Sequence, residues 1–176
     1  GMHVVRMSLF SQRLAEEFGL DREECKQILH ASPMHDVGKI GIPDRVLLKS
    51  GKLNADEWEI MKTHSAIGAQ ILSSGKHKLT KMAKTIALCH HEKWDGSGYP
   101  NGLSGNKIPL AARIVSIADC FDALTSERPY KAAWSVEDAI KEMDRVTGSS
   151  FDPDLMVVFH QILPEILKTK HDLPDK

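Results

Sequence analysis

The residues of this chain best suited to chemistry are His35-Asp36, His64, His90-His91 and Asp119. Imidazole with carboxylate, and no thiolate among them, is the donor mix for Fe, Mn, Zn or Ni. None of these residues falls in an HExxH or CxxC pattern, so no local motif closes a site and four segments must converge to build one. Two of the segments are adjacent pairs, and adjacent side chains on a helix point roughly 100° apart. Such a pair serves two neighbouring cations, or offers one carboxylate that bridges both. Two cations about 4 Å apart suit hydrolysis of a phosphate ester, which points to a hydrolytic metalloenzyme. Asp122, three residues after Asp119, shares its helix face and is placed to orient a histidine or a water behind the ligands.

Fixed separations between such groups require rigid elements, and helical signals dominate the sequence. Val4, Val5, Leu9, Phe10, Leu14 and Phe18 follow a three-to-four spacing that stops at Gly19. Asp21 is the cap of a second helix, with Cys25, Ile28 and Leu29 inward and His35-Asp36 near its end, before Gly38, Gly41 and Pro43 break it. A short turn follows at about Asp44 to Leu48. Asn54 and Glu57 are spaced as a capping box ahead of one long helix, in which Trp58, Met61, Ile67, Ile71 and Leu72 face inward and His64 lies two turns in. Further helices are expected at about Leu79–His91 and Leu110–Leu124, from Ser135 to Gly148, and from the Asp152-Pro153 start to about Lys168. The stretch from Glu92 to Pro109, with four glycines and two prolines, is the least helical. Neither strand-like alternation nor an internal repeat is evident. The expected architecture is all-α, a bundle of about six to eight helices over residues 1–168 in one domain, with residues 169–176 a flexible tail.

The chain's 176 residues suffice for a proper core. Its net charge of -1 sets up no whole-surface field for nucleic acid or anionic lipid, so a polyanionic ligand would need local cations and metals. Cys25, Cys89 and Cys120 sit in apolar helical surroundings and read as reduced thiols of a cytoplasmic protein. No apolar run approaches the roughly 20 residues that span a bilayer, so no membrane insertion is expected. His30, His77, His160 and His171 read as structural or surface histidines.

Taken in order, several motifs carry a family resemblance. They are His35-Asp36-Val-Gly-Lys39 with Ile-Gly-Ile-Pro-Asp after it, His64-Ser-Ala-Ile-Gly68, His90-His91-Glu92, Asp95-Gly-Ser-Gly98-Tyr99-Pro100, Asp119-Cys-Phe-Asp122-Ala-Leu-Thr, and Arg128-Pro-Tyr-Lys131. From about His3 to Phe159 the chain resembles the HD-GYP family, a branch of the HD-domain metal-dependent phosphohydrolases whose members hydrolyse the bacterial second messenger cyclic di-GMP. The resemblance implies a compact HD-domain helical bundle with an irregular Gly/Pro-rich Gly-Tyr-Pro loop. It implies two or three divalent metal ions, Fe or Mn ahead of Zn or Ni. Their ligands would be His3, His35, Asp36, His64, His90, His91 and Asp119, with the Asp36 carboxylate bridging. Some members use a glutamate four residues before the first histidine for a third metal; that position falls ahead of Gly1.

On the substrate side the resemblance points to Lys39, Gly98, Tyr99, Pro100, Arg128 and Lys131. Lys39 would reach a phosphate oxygen or protonate the leaving oxygen. Arg128 offers a planar fork to a phosphate and Lys131 a point charge. Tyr99 would stack on guanine or meet another protein domain. Asp122 and Glu92 would stand behind the ligands, Glu92 either orienting a histidine or facing solvent, and Trp94 would either pack the loop or act as a stacking platform. The implied activity is hydrolysis of cyclic di-GMP to pGpG and/or GMP through a metal-activated hydroxide, with Asp36 and Lys39 as the catalytic residues. Implied partners are a sensor or receiver domain in a longer protein and diguanylate cyclase (GGDEF) domains. The competing readings are a catalytically silent cyclic di-GMP-binding or signalling module, and an HD-superfamily nucleotidase for another nucleotide.

Overall fold

The computed structural model describes residues 2–127 and 132–175. Among the described residues the chain forms nine α-helices, eight of them of at least eight residues, and two isolated bridges in place of any strand. They are α1 (Met2–Phe18), α2 (Arg22–Ala31), the single turn α3 (Asp44–Leu47), α4 (Ala55–Lys62), α5 (His64–Ile71), α6 (Lys78–Cys89), α7 (Leu110–Thr125), α8 (Val136–Arg145) and α9 (Pro153–Asp172). This is the all-α architecture expected from the sequence.

The apolar spacing of α1 reaches the core in part: Phe10 and Leu14 are buried against α7 together with Met7, which the spacing left out, whereas Val5 is 44 % exposed; Ile114, Ile117, Ala118 and Phe121 of α7 are buried in turn. Phe121 stands at the centre, with ring centroids 6.1 Å from Phe10 and 5.3 Å from Phe159 of α9. Truncating a buried ring of this kind to alanine costs about 3–5 kcal/mol. α1 thus packs on α2, α7 and α9, and α6 packs on α2, α5 and α7. Side-chain caps fix the helix starts: both Asp21 and Asn54 make complete capping boxes, with Glu24 and Glu57, and Ser135 and Asp152 accept from backbone N–H groups of α8 and α9.

Several expectations require correction. His35-Asp36 do not lie on a helix. Pro33 enters a 3-10 turn (Ser32–Met34) just after α2, and a second 3-10 turn (Val37–Gly41) follows the pair. The long helix over 55–72 is two helices that meet at Thr63, whose N–H and hydroxyl both bond back to the Ile60 carbonyl. His64 therefore opens α5. Trp58 and Ile71, expected inward, are each 46 % exposed. α9 continues past Lys168 to Asp172, and beyond it Arg6 donates to the Leu173 carbonyl and to Asp175. Cys25 and Cys89 are buried thiols and Cys120 is half-buried.

Candidate metal centre

The turn carrying His35-Asp36 is pressed directly onto α5. A Cβ built on Gly38 would lie 1.9 Å from the His64 carbonyl oxygen and 2.4 Å from the Gly68 nitrogen, so no side chain fits there. This contact brings Asp36 against His64. The turn after α6 presents His90 and His91, α1 delivers His3 from its first turn, and α7 delivers Asp119 from its middle.

Together these elements gather seven side chains into two groups. In one, ligand atoms of Asp36, His64, His90 and His91 all lie within 4.8 Å of one another; in the other, the same holds for His3, His35 and Asp119. Asp36 faces both. Its Oδ1 is 3.4 Å from His64 Nε2 and 3.6 Å from His90 Nε2, and its Oδ2 is 3.3 Å from His35 Nε2. Asp119 Oδ1 is 3.3 Å from His3 Nε2 and 3.7 Å from His35 Nε2. A carboxylate with one oxygen towards each group has the geometry of a bridge.

The donor atoms are prepared for a cation. The Nδ1 of His35 donates to the Ser32 carbonyl (2.9 Å), that of His64 to the Met61 carbonyl (2.7 Å), and that of His90 to the Ile86 and Ala87 carbonyls (3.0 Å each). Each bond places the proton on Nδ1 and leaves the Nε2 lone pair facing the site. Those three Nε2 atoms and Asp36 Oδ1 are buried with no hydrogen-bond partner. Four orphaned acceptors converging on one volume are costly in a folded protein unless something positive joins them. The residues therefore fit a divalent metal, as their chemistry suggested.

Charge in the site points the same way. Burial, then the neighbouring His90 and His64, pushes His91 down to about 3, so it is the neutral ring that ligation requires. Asp36 is half-buried, which by itself would raise it, yet the imidazoles of His35, His64 and His90 facing it hold it well below the usual carboxylate range. His3, gripped by Asp119 and then Asp122, is raised to about 9.

Asp122 stands behind His3. It is fully buried and its Oδ2 accepts from His3 Nδ1 at 2.7 Å. Sequence reasoning missed the residue that holds Asp122. Arg6 is also fully buried and donates to both Asp122 oxygens, Nε at 2.7 Å and Nη2 at 3.0 Å. The one available signal was position, since Arg6 lies three residues after His3 and so on the same helix face.

The remaining predicted residues fall around this centre. Lys39 Nζ contacts Asp36 Oδ2 at 2.6 Å while its side chain stays 42 % exposed. Tyr99 stacks on His91, with centroids 4.9 Å apart and planes 22° apart, and walls that side of the site. Gly98 lies against backbone: a Cβ there would meet Lys93 N at 2.4 Å and His91 O at 2.5 Å, so its contribution is close packing of the loop. Pro100 borders a small hollow with Glu59, Lys62 and Tyr99. Glu92 neither orients a histidine nor faces solvent. It is buried and accepts from the Asn101 and Leu103 N–H groups at 2.7 and 3.0 Å, tying the loop to the end of α6. Trp94 packs beneath the Arg113 guanidinium, 5.7 Å from its ring. Arg128 and Lys131 lie outside the described residues. A cleft of about 680 Å³ opens from His90, His91 and Asp119 towards Trp134 and Arg145.

Comparison with known proteins agrees with this geometry. The chain is 47 % identical over 175 residues to a 3′3′-cGAMP-specific phosphodiesterase 2 of Vibrio cholerae, covering 99 % of this chain and 34 % of that one. It is 51 % identical over 148 residues to the cyclic di-GMP phosphodiesterase response regulator RpfG of Xanthomonas campestris, covering 84 % of this chain and 39 % of the relative. The chain thus spans well under half the length of these relatives. The crystal structure of a cyclic GMP-AMP specific phosphodiesterase from V. cholerae superposes with a TM-score of 0.74 at 21 % identity, over 98 % of this chain and 49 % of that one, and so shares the fold. The family profile described as HD domain matches residues 2–155. With that match over most of its length, and with the His35-Asp36 pair that gives the family its name at the junction of both ligand groups, this chain belongs to the HD-domain family.

Proposed function

We propose that this chain is a metal-dependent phosphodiesterase domain that opens a cyclic dinucleotide, cyclic di-GMP in the first instance, to linear pGpG and/or GMP. The observation that carries this reading is the Asp36 carboxylate, with one oxygen towards His64 and His90 and the other towards His35. The two ligand groups would take one divalent ion each, Fe or Mn ahead of Zn or Ni. Such ions supply a hydroxide at neutral pH and offset charge on the phosphoryl oxygens.

The chain's own residues do the rest. Asp36 fixes the spacing of the groups. Lys39, anchored on Asp36 but half open to solvent, turns its ammonium to the scissile phosphate and gives a proton to the leaving 3′ oxygen. Burial pushes the Tyr99 phenol up to about 12, so it stays protonated and serves as a donor and a flat wall beside His91. The cleft that begins at His90, His91 and Asp119 is within the size range of small-molecule sites and receives the remainder of the dinucleotide. Arg128 and Lys131 are the proposed partners of its phosphates. A cytoplasmic location, a receiver or sensor domain in the same protein, and contact with GGDEF domains belong to the same reading. A response regulator among the relatives supports the receiver, and no helix of the described residues is long and apolar enough to cross a membrane.

A second substrate, 3′3′-cGAMP, is favoured by the name of the Vibrio relative. The test is turnover of both dinucleotides by anaerobically prepared, metal-loaded protein, with His35→Ala/Asp36→Ala as control. Hydrolysis of either one that disappears in the double variant, together with its metal, supports the reading and names the substrate. Metal-loaded protein that binds both dinucleotides and cleaves neither would replace it with a binding module.

A further inference from the structure

The ligand histidines are not aimed in the same way. His35, His64 and His90 are oriented by carbonyls of their own turns, contacts that form whenever the local helix forms. His3 is oriented by Asp122, and Asp122 is held from another part of the chain. Arg6 occupies both Asp122 oxygens, and Lys170 of α9 adds a contact at 3.2 Å. The same guanidinium donates to the Leu173 carbonyl at 2.9 Å, to Asp175 at 2.9 and 3.1 Å and to Ser126 Oγ at 2.9 Å. Its three nitrogens are thereby all engaged, three of the six contacts being to the residues just after α9. We infer that Arg6 is a positioning residue that makes the metal group of His3, His35 and Asp119 conditional on the docked end of α9.

The physical reason lies in burial and charge. A buried guanidinium that loses one carboxylate must find another partner or move towards water. Removing Asp175 leaves Arg6 and Lys170 as two cations on the single carboxylate of Asp122. The guanidinium is then free to follow the open end of the chain, Asp122 rotates with it, and the His3 ring loses its aim. The group of Asp36, His64, His90 and His91 shares none of these contacts. Filling of the two groups is therefore separable: one is set by local backbone, the other by whether the segment after α9 is seated. This inference rests on the metal-dependent reading but not on the substrate.

The test is calorimetric titration of the metal-free 176-residue chain with Mn²⁺, alongside the melting temperature of each variant. Asp175→Ala and Arg6→Lys are compared with Arg13→Ala, which removes an ion-pair tie between α1 and α9, to Glu165, without touching Asp122. Wild type is expected to bind two ions. In Asp175→Ala and Arg6→Lys the weaker ion should lose about 10–100-fold in affinity, the usual effect of removing support behind a ligand, while the tighter ion is unchanged. Arg13→Ala should lower the melting temperature and leave both ions unchanged. Arg6→Lys, which retains the charge but not the fork, should fall between wild type and Arg6→Met. Should the arginine variants fail to fold, Asp175→Ala decides alone. Wild-type affinity for both ions in Asp175→Ala, or equal weakening of both in step with the melting temperature, overturns the inference alone. A wild-type chain that takes up no Mn²⁺ overturns it together with the metal-dependent reading.

Discussion

His91 and His3 meet a cation from opposite sides of neutrality. Burial and its imidazole neighbours keep His91 at about 3, so it has no proton to lose at pH 7. Asp119 and Asp122 raise His3 to about 9 in the metal-free protein, so ligation there must expel a proton. Two consequences of opposite sign follow. The metal-free fold gains stability from protonated His3, fully so below the unfolded value near 6.5, and loses that gain as pH rises through about 9. Affinity of the His3-side group for a cation runs the other way, rising about tenfold per pH unit up to about 9. Titration at pH 7.5 in buffers of different ionisation enthalpy should therefore show about one proton released for the His3-side ion; release of none would remove His3 from the ligand set. The residue types of the site were legible in the sequence because imidazole and carboxylate at those positions have few other reasons to converge. Arg6 was not, because its partners lie 116 to 169 residues away. Glu92 was read ambiguously because its backbone partners are fixed only once the loop closes.

Among the elements, the junction of the His35-Asp36 turn with α5 is the most demanding contact. Gly38 approaches backbone on every side, and backbone does not yield. Gly38→Ala is expected to destabilise by about 3 kcal/mol, the upper end of overpacking costs, and to reduce metal uptake with it. Gly68→Ala is expected to destabilise less, by about 1 kcal/mol: its Cβ would sit 3.2–3.5 Å from the Gly38 backbone and Ala87 Cβ, a tightness that the roughly 0.5–1 kcal/mol alanine gains over glycine in a helix offsets only in part. Urea denaturation with metal analysis on the same samples checks both. The helices themselves were legible from spacing and caps, as with Asp21 and Asn54. The break at Thr63 was not, because the apolar period runs through it and only the return bonds to Ile60 reveal it. The pair at His35-Asp36 was placed on α2 for a similar reason: Pro33 marks the break, but tight 3-10 turns keep the helical direction long enough to hide it.

For the molecule as a whole, the site ties together α1, α5, the end of α6, α7 and the turn between α2 and α3. Cations bound there act as cross-links between elements distant in sequence. An ion at 100 times its Kd adds about 2.7 kcal/mol, so two independent ions add about 5, which for a chain of this size is a rise in Tm of roughly 10–20 °C. Chelation should lower the melting temperature by about that much and leave His35→Ala/Asp36→Ala unaffected; equal curves with and without chelator would deny the cross-link. The overall all-α plan was legible in the sequence, whereas the seating of the last residues on Arg6 was not, since polar residues after a helix end usually signal fraying.

Tyr99 also has an optical consequence. Its ring stacks on His91 and stands 6.1 Å, edge to face, from Trp58. Trp94 lies under Arg113 and Trp134 lines the cleft, while Trp58 is joined through Tyr99 by a continuous run of rings to His64 and His91. Light absorbed by Tyr99 has an acceptor in van der Waals range, and a paramagnetic ion beside His91 would sit next to that pair as a quencher. The two halves of the centre are thus distinguishable by fluorescence: loading beside Tyr99 dims Trp58, while loading beside His3, on the far side of Asp36, leaves its emission nearer its starting level.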